Sequence, residues 1–371
     1  MNDLRKIVNP RIFNVPDYDQ GHITECWENL KIHRLMSNEG CYPPILAVQK
    51  AIKSIAANAN YYPEDPSYSF SLRSKLADYS SVSLENITLG NGSIEILDLL
   101  LEVFLSEPYV DECTLIQPDY SAYEPRLTFF GWDINKIICG EDIKQTAFKI
   151  LQNYTPKTKL ILFSRPNNPM GTLIPKKHVE MLLETGCILV VDEAYIEFAS
   201  PGESVSSWVK DWDNLIVTRT FSKAFCLAGI RLGYIIAHPQ IIQFINRAKH
   251  IFNVNIAAMA AGEAAMDHLE EYTGRFLRIT KTRDRLIDDI NQIPGLKAFE
   301  SSGNFVMINT HQSGIHAREY VNYLLEKNYY VRDFSCKEGL QPDAFFRISV
   351  GKQSDMKAVV NHIKSFVNKN A

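Results

Sequence analysis

Five short runs, Cys113–Gln117, Lys159–Phe163, Cys187–Val191, Leu215–Thr218 and Tyr234–Ala237, are rich in Ile, Leu and Val. Between them lie segments of helical length and mixed polarity, such as Ser121–Phe130, Pro175–Thr185 and Pro239–His250. A strand without polar alternation has no face to offer water, so helices must cover it on both sides. Strands of this kind alternating with helices specify an α/β fold with a mostly parallel sheet. After about Asn255 the texture changes to a long helical pattern through Asp289, followed by strands near Asn304–Ile308, Tyr329–Val331 and Phe345–Val350. This reads as a smaller α/β C-terminal domain at 256–371 beside a large domain at 46–255. Residues 1–45 have no sustained period and read as an arm that packs across the body or onto a partner subunit. With 371 residues the chain is long enough to bury both cores.

Open parallel sheets gather ligands beyond the carboxyl ends of their strands, and three of these runs end on reactive residue types. Asn168 follows one in Asn167-Asn168-Pro169-Met170-Gly171. Asp192 closes another in Val190-Val191-Asp192-Glu193-Ala194-Tyr195. Lys223 follows a third in Thr220-Phe221-Ser222-Lys223-Ala224-Phe225, with Arg231 eight residues on in Gly229-Ile230-Arg231-Leu232-Gly233. Each has a bland reading alone: Asn-Pro-x-Gly as a turn, a strand-end Asp as a helix cap, a loop Lys as a solvated charge. Together they put an amine, hydroxyls and a guanidinium around one edge. An amine can hold an aldehyde as a Schiff base, and the other groups suit a phosphate. Gly90-Asn91-Gly92-Ser93 leads into the helical pattern Ile94–Leu105, and a helix N-terminus offers N–H groups and a favourable dipole to an anion. Gly-Ser at a helix start is also ordinary capping chemistry.

A formal net charge of −4 supplies no basic field for nucleic acid or anionic lipid. Seven cysteines are dispersed without a CxxC pair, which suggests neither a zinc site nor a disulfide framework and fits a reducing cytosol. The start, Met1 to Ile7, carries charges and lacks the apolar core of a signal peptide. Glu95, Asp98 and Glu102 interrupt the apolar stretch Ile94–Leu105, so it reads as a buried helix and not a membrane span. The expectation is a cytoplasmic enzyme without a metal site.

At these motifs the chain resembles the pyridoxal-phosphate aminotransferases of the aspartate aminotransferase fold, and among them it is most similar to the histidinol-phosphate aminotransferases. The likeness runs from about Arg11 to Gly351. It implies a seven-stranded, mostly parallel sheet in the large domain, pyridoxal 5'-phosphate as cofactor, and a homodimer with a shared active site. It makes Lys223 the Schiff-base lysine and proton shuttle. Asp192 becomes the carboxylate beside the ring nitrogen, where it favours the charged ring that works best as an electron sink. Tyr195 and Asn168 become donors to the phenolic oxygen. Gly92, Ser93, Ile94, Thr220, Ser222 and Arg231 become cofactor ligands, with Ser93, Ser222 and Arg231 on the phosphate and Tyr62 reaching it from the neighbouring subunit. Tyr123, of the pair Tyr120 and Tyr123, becomes the candidate for stacking on the pyridine ring.

At the substrate end, Arg347 in Phe345-Phe346-Arg347-Ile348-Ser349 matches the arginine that binds the substrate's anion across the fold, and a planar bidentate donor suits carboxylate and phosphate alike. Arg332, Asn168 and Tyr18 of the arm complete the implied substrate pocket. The implied reaction converts histidinol phosphate and 2-oxoglutarate into imidazole-acetol phosphate and glutamate. One segment departs from the family: Asn38-Glu39-Gly40-Cys41 stands where it typically reads Asn-Glu-Asn-Pro, whereas Asn304 keeps the pattern. An aminotransferase for an aromatic or specialised-metabolite amino acid, or a threonine-phosphate decarboxylase-like lyase, shares every cofactor motif. A nicotinamide-dependent dehydrogenase fits poorly, because Gly90-Asn91-Gly92-Ser93-Ile94-Glu95 lacks the third glycine of the dinucleotide fingerprint. A non-catalytic regulator fits poorly too, since no DNA-binding segment accompanies the intact lysine.

Overall fold

The computed structural model describes residues 8–16, 32–63 and 67–370, so Tyr18 lies outside the described residues. Strand β1 (His33–Leu35) belongs to a small sheet. The large sheet holds β2 (Ile87–Gly90), β3 (Glu112–Gln117), β4 (Asp133–Ile138), β5 (Thr158–Ser164), β6 (Ile188–Asp192), β7 (Leu215–Thr220) and β8 (Gly233–Ala237). Its order is β2-β8-β7-β6-β5-β3-β4. The last strands, β9 (Lys297–Ala298), β10 (Phe305–Asn309), β11 (Tyr329–Asp333) and β12 (Phe345–Ser349), join β1 in the order β1-β11-β12-β10-β9. Every pairing in the seven-stranded sheet is parallel except those of β8, which runs against both β2 and β7.

Strand geometry sends successive side chains to opposite faces, and the central strands sort accordingly. Ile161, Phe163, Val191 and Val217 join one core, whereas Leu160, Leu162, Val190 and Ile216 join the other. Both sets are buried, which is why these strands carry no polar alternation. The small sheet divides in the same way. Val306, Ile308, Phe346 and Ile348 face its own core, while Phe305, Met307 and Phe345 belong to the core of the large sheet.

Two features differ from the sequence pattern. The helical stretch expected through Asp289 is two helices, Ile256–Asp267 and Leu269–Asn291, which meet at His268. His268 has φ −122° and ψ 36°, outside the helical region, and its Nδ1 lies 2.9 Å from the Ala264 carbonyl oxygen at the end of the first helix. Within the expected arm, residues 33–35 form β1 and pair in parallel with β11. Among the described residues no helix is long and apolar enough to cross a membrane.

Beside the end of β6 lies a buried ion pair. Glu193 is fully buried, and Arg219 of β7 donates to its Oε2 through Nε at 3.1 Å and Nη2 at 3.0 Å. Ser204 Oγ and the Val205 amide supply two further donors at 2.7 and 2.8 Å. Charges removed from water cost several kcal/mol each, so such a pair persists only when its remaining hydrogen-bonding capacity is filled. Glu193→Ala strips Arg219 of the carboxylate oxygen that its Nε and Nη2 share and is expected to cost roughly 3–5 kcal/mol. A urea melt reads this as a lower midpoint at unchanged slope; a loss below about 1 kcal/mol would show that the pair contributes little.

Candidate active site

The parallel strands of the large sheet deliver their carboxyl ends to one edge, and a cavity of about 330 Å³ opens there. Ser93, Ile94, Asn168, Asp192, Tyr195, Thr220, Ser222, Lys223 and Arg231, all expected from sequence, line it. The reversal of β8 matters here. A strand running against its neighbours begins where they end, so Arg231, just before Gly233, arrives beside Gly90 and Thr220, the two residues that pair with Gly233.

An anion cradle forms one end of the cavity. Helix Gly92–Phe104 starts at this edge, with Gly92 at φ +80°. A Cβ at that position would lie 2.4 Å from Arg231 Nη2, so both the backbone angle and the guanidinium require glycine. Arg231 adopts a left-handed φ of 61°, and its Nη1 donates to the Ala228 carbonyl at 3.0 Å. Thr220 Oγ1 accepts from the Ser222 amide at 3.1 Å and donates to Ser222 Oγ at 2.9 Å, which sets the serine hydroxyl. A helix N-terminus, two serine hydroxyls and a guanidinium facing one space could hold a phosphate.

Asp192 closes β6, paired with Ser164 on one side and Thr218 on the other. Its Oδ2 accepts from Tyr123 Oη at 2.8 Å and its Oδ1 from the Ala194 amide at 3.1 Å. Burial pushes this carboxyl up, against the donors Tyr123, Ala194 and Thr218 and the charge of Lys223. A carboxyl so placed is held ionised by any cation set against it. Tyr195 Oη accepts from the side-chain amides of Asn38 at 3.1 Å and Asn168 at 3.3 Å.

Lys223 Nζ donates to the Ser37 carbonyl at 2.8 Å and lies 5.9 Å from the centre of the Tyr195 ring. Burial first, then the charges of Arg347 and Arg231, lower its pKa to about 8, against the opposing pull of Glu39 and Asp192. An amine at this value keeps roughly a tenth of its molecules neutral at pH 7, far more than an ordinary lysine with a pKa of about 10.4, and the neutral form is the one that attacks a carbonyl. The donor set therefore fits pyridoxal phosphate: an amine for the aldehyde, a buried carboxylate for the ring nitrogen, hydroxyl and amide donors for the phenolic oxygen, and a cradle for the phosphate.

Not every expected residue lies in the cavity wall. Sequence assigns ring stacking to Tyr123, but the structure buries Tyr123 in the core beneath Asp192 and puts Tyr120 in the wall instead. The two rings meet edge to face, 5.4 Å apart. Tyr123 opens helix Tyr123–Phe130 with its side chain inward, so its hydroxyl meets the carboxylate from behind. Arg347 lies behind Asn168, donating from Nη1 to Asn168 Oδ1 and from Nη2 to the Met36 carbonyl at 2.7 Å. Its guanidinium sits 5.1 Å from the centres of both the Phe305 and Phe334 rings. Arg332 is its cross-strand partner on β11. Tyr62 is away from the cavity, 76% exposed and stacked on Phe252 at 4.8 Å.

Ser37, Glu39 and Ser164 line the cavity without having been singled out as site residues. Ser37 and Glu39 flank Asn38 in the segment that departs from the family, and that departure has a physical reason. A Cβ at Gly40 would lie 2.2 Å from Cys226 Sγ, so the cysteine after the lysine loop fills the space that a side chain at position 40 would need. No sequence signal marked Ser164, because a serine at a strand end is unremarkable.

The fold and the site together define an aminotransferase. The family described as aminotransferase class I and II matches residues 31–363, and the chain belongs to it. It is similar to the histidinol-phosphate aminotransferase of Clostridium novyi, 35% identical over 318 residues that cover 85% of this chain and 86% of that protein. Histidinol-phosphate aminotransferase 2 of Archaeoglobus fulgidus is 30% identical over 375 aligned residues, covering 98% and 99%. The structure of histidinol-phosphate aminotransferase from Sinorhizobium meliloti, solved with pyridoxal-5'-phosphate, shares the fold with a TM-score of 0.84, covering 98% of each chain at 23% identity.

The lowered pKa of Lys223 gives a test on the cofactor-free protein. Only the neutral amine reacts with the aldehyde, so the rate of pyridoxal phosphate uptake is expected to rise with pH and level off above about 8. An inflection near the ordinary lysine value of about 10.4 would show that burial does not tune this amine.

Proposed function

We propose that this enzyme transfers the amino group of histidinol phosphate to 2-oxoglutarate. The observation that carries the reading is one amine, Lys223, in a cavity with an anion cradle at Ser93, Ser222 and Arg231 and a second guanidinium, Arg347, behind Asn168. One cationic site suits the cofactor's phosphate and the other the anion of the substrate. The names of the relatives at 35% and 30% identity support histidinol phosphate as that substrate.

When bound, pyridoxal phosphate supplies an electron sink that lets the bond to the substrate's α hydrogen break. Lys223 would be the amine that holds the cofactor's aldehyde. Once released, its Nζ would be the base placed to accept and hand on the substrate's α proton. Asp192, its two oxygens fixed by Tyr123, Thr218 and the Ala194 amide, would hold a proton on the cofactor's ring nitrogen. Tyr195 and Asn168 would supply donors to the cofactor's phenolic oxygen. Arg347 receives phosphate or carboxylate, so one guanidinium serves both half-reactions.

Mixing the loaded enzyme with single amines and following conversion of bound aldehyde to bound amine tests the substrate. Histidinol phosphate is expected to react fastest, ahead of phenylalanine, tyrosine and threonine phosphate; a faster rival would replace it. Release of carbon dioxide without any need for 2-oxoglutarate would favour the lyase instead. Asp192→Ala is expected to retain the cofactor and lose about 10²–10³-fold in turnover, and an unchanged rate would refute its role.

The assembly we propose is a homodimer in which Tyr62 reaches the partner's phosphate cradle. Tyr61, Tyr62 and Ile251 are 67%, 76% and 86% exposed, and Phe252 stacks on Tyr62, an apolar cluster of the kind that marks an interface. Sedimentation should give a dimer, and Tyr62→Ala should weaken cofactor retention; a monomeric, fully loaded enzyme would rule out the shared site. The six described cysteines are all free, which supports a reducing, cytoplasmic setting.

A further inference from the structure

The cavity wall is held from behind by a carboxylate that does not itself line it. Asp119 follows the Gln117–Pro118 turn at the end of β3 and is 2% exposed. Its Oδ1 accepts from the Tyr120 amide at 2.7 Å and from Ser164 Oγ, and its Oδ2 accepts from the Ser164 amide at 3.0 Å. Ser164 Oγ in turn accepts from the Asn168 amide at 2.9 Å. The Asn168 side chain donates to Tyr195 Oη and accepts from Arg347. One chain of hydrogen bonds therefore leads from Asp119, through Ser164, to the residue that touches both the phenol and the substrate arginine. The same carboxylate anchors the backbone of Tyr120, which lines the cavity.

Three donors converge on two oxygens, an arrangement that calls for an acceptor-only group. Burial raises this carboxyl to about 7, against the Ser164 and Tyr120 donors and the ammonium of Lys337. Lys337 lies in the turn between β11 and β12, and that turn sits directly on the Gln117–Pro118 peptide. A Cβ at Gly339 would come within 2.8 Å of the Gln117 carbonyl. Lys136 of β4 clamps the same turn, 2.8 Å from Glu124 and 3.0 Å from Glu338.

We propose that Asp119 is a positioning residue for transamination. Through Ser164 it fixes the backbone at Asn168, and with it the carboxamide shared by Tyr195 and Arg347. The turn that carries Lys337 supplies its counter-charge. This inference rests on the cofactor assignment and holds whichever amine is the substrate.

The test compares the pyridoxal-phosphate-loaded wild type with Asp119→Ala, Asn168→Ala and the double variant. It reads the absorption maximum of the bound cofactor without substrate, and KM and kcat for donor and acceptor. Asp119→Ala is expected to shift the absorption maximum and raise both KM values roughly 10–100-fold, the scale of a misplacement of about 1 Å. In the Asn168→Ala background the same change should move neither quantity further. The inference fails if a folded Asp119→Ala enzyme keeps the wild-type spectrum and KM values and loses only thermal stability. It fails equally if the two substitutions multiply. Should Asp119→Ala not accumulate, Ser164→Ala removes the relaying oxygen alone and must give the same pattern. The substrate-free spectrum decides the matter even if histidinol phosphate proves not to be the donor.

Discussion

A sheet buried on both faces leaves chemistry only its edge, and that constraint organises the rest of the molecule. Between β3 and β8 the strands are packed against helices on either side, so a polar side chain in mid-strand would have no water and few partners. At the carboxyl edge the situation reverses. Backbone groups beyond the last ladder bond need partners and polar side chains can supply them. The Arg165 amide donates to the Asp192 carbonyl at 2.8 Å, and the Glu193 amide to the Thr218 carbonyl at 2.9 Å, which carries the ladder one step past the strands. Asp192 is thus fixed by its neighbours' backbones before its side chain meets anything. A site built on such rigid elements needs no reorganisation when charge develops within it.

The parts legible in sequence were those governed by this constraint. β3, β5, β6, β7 and β8 announce themselves because burial on both faces forces apolar runs, and Asn168, Asp192 and Lys223 stand out because they break those runs at the ends. β4 was harder to see: as an edge strand it is partly exposed, and Asp133-Ile134-Asn135-Lys136-Ile137-Ile138 mixes polar with apolar accordingly. β1, three residues long, owes its existence to pairing with β11 from the far end of the chain, which no local pattern encodes. Tyr120 and Tyr123 are equivalent as letters three apart. Which faces the cavity is decided by the inward start of helix Tyr123–Phe130 against the core of Leu127, Leu162 and Val190. Asn38 was invisible as a structural hub for the same reason: its partners are Ser349, Asn304 and Tyr195, all remote in sequence.

The electrostatics of the cavity tie the two ends of the site together. Burial makes the Lys223 amine reluctant to hold a proton, and Arg347 is the largest charge acting in the same direction. Arg347 is itself almost fully buried, held by Met36 and Asn168 and flanked by Phe305 and Phe334, so its charge is poorly screened by water. An anion bound by that guanidinium offsets the charge, and by the same physics raises the amine's affinity for a proton. In the proposed reaction an empty arginine would hold more of the amine in the neutral form that reacts with an aldehyde, and an anion on the arginine would make the freed amine a stronger proton acceptor.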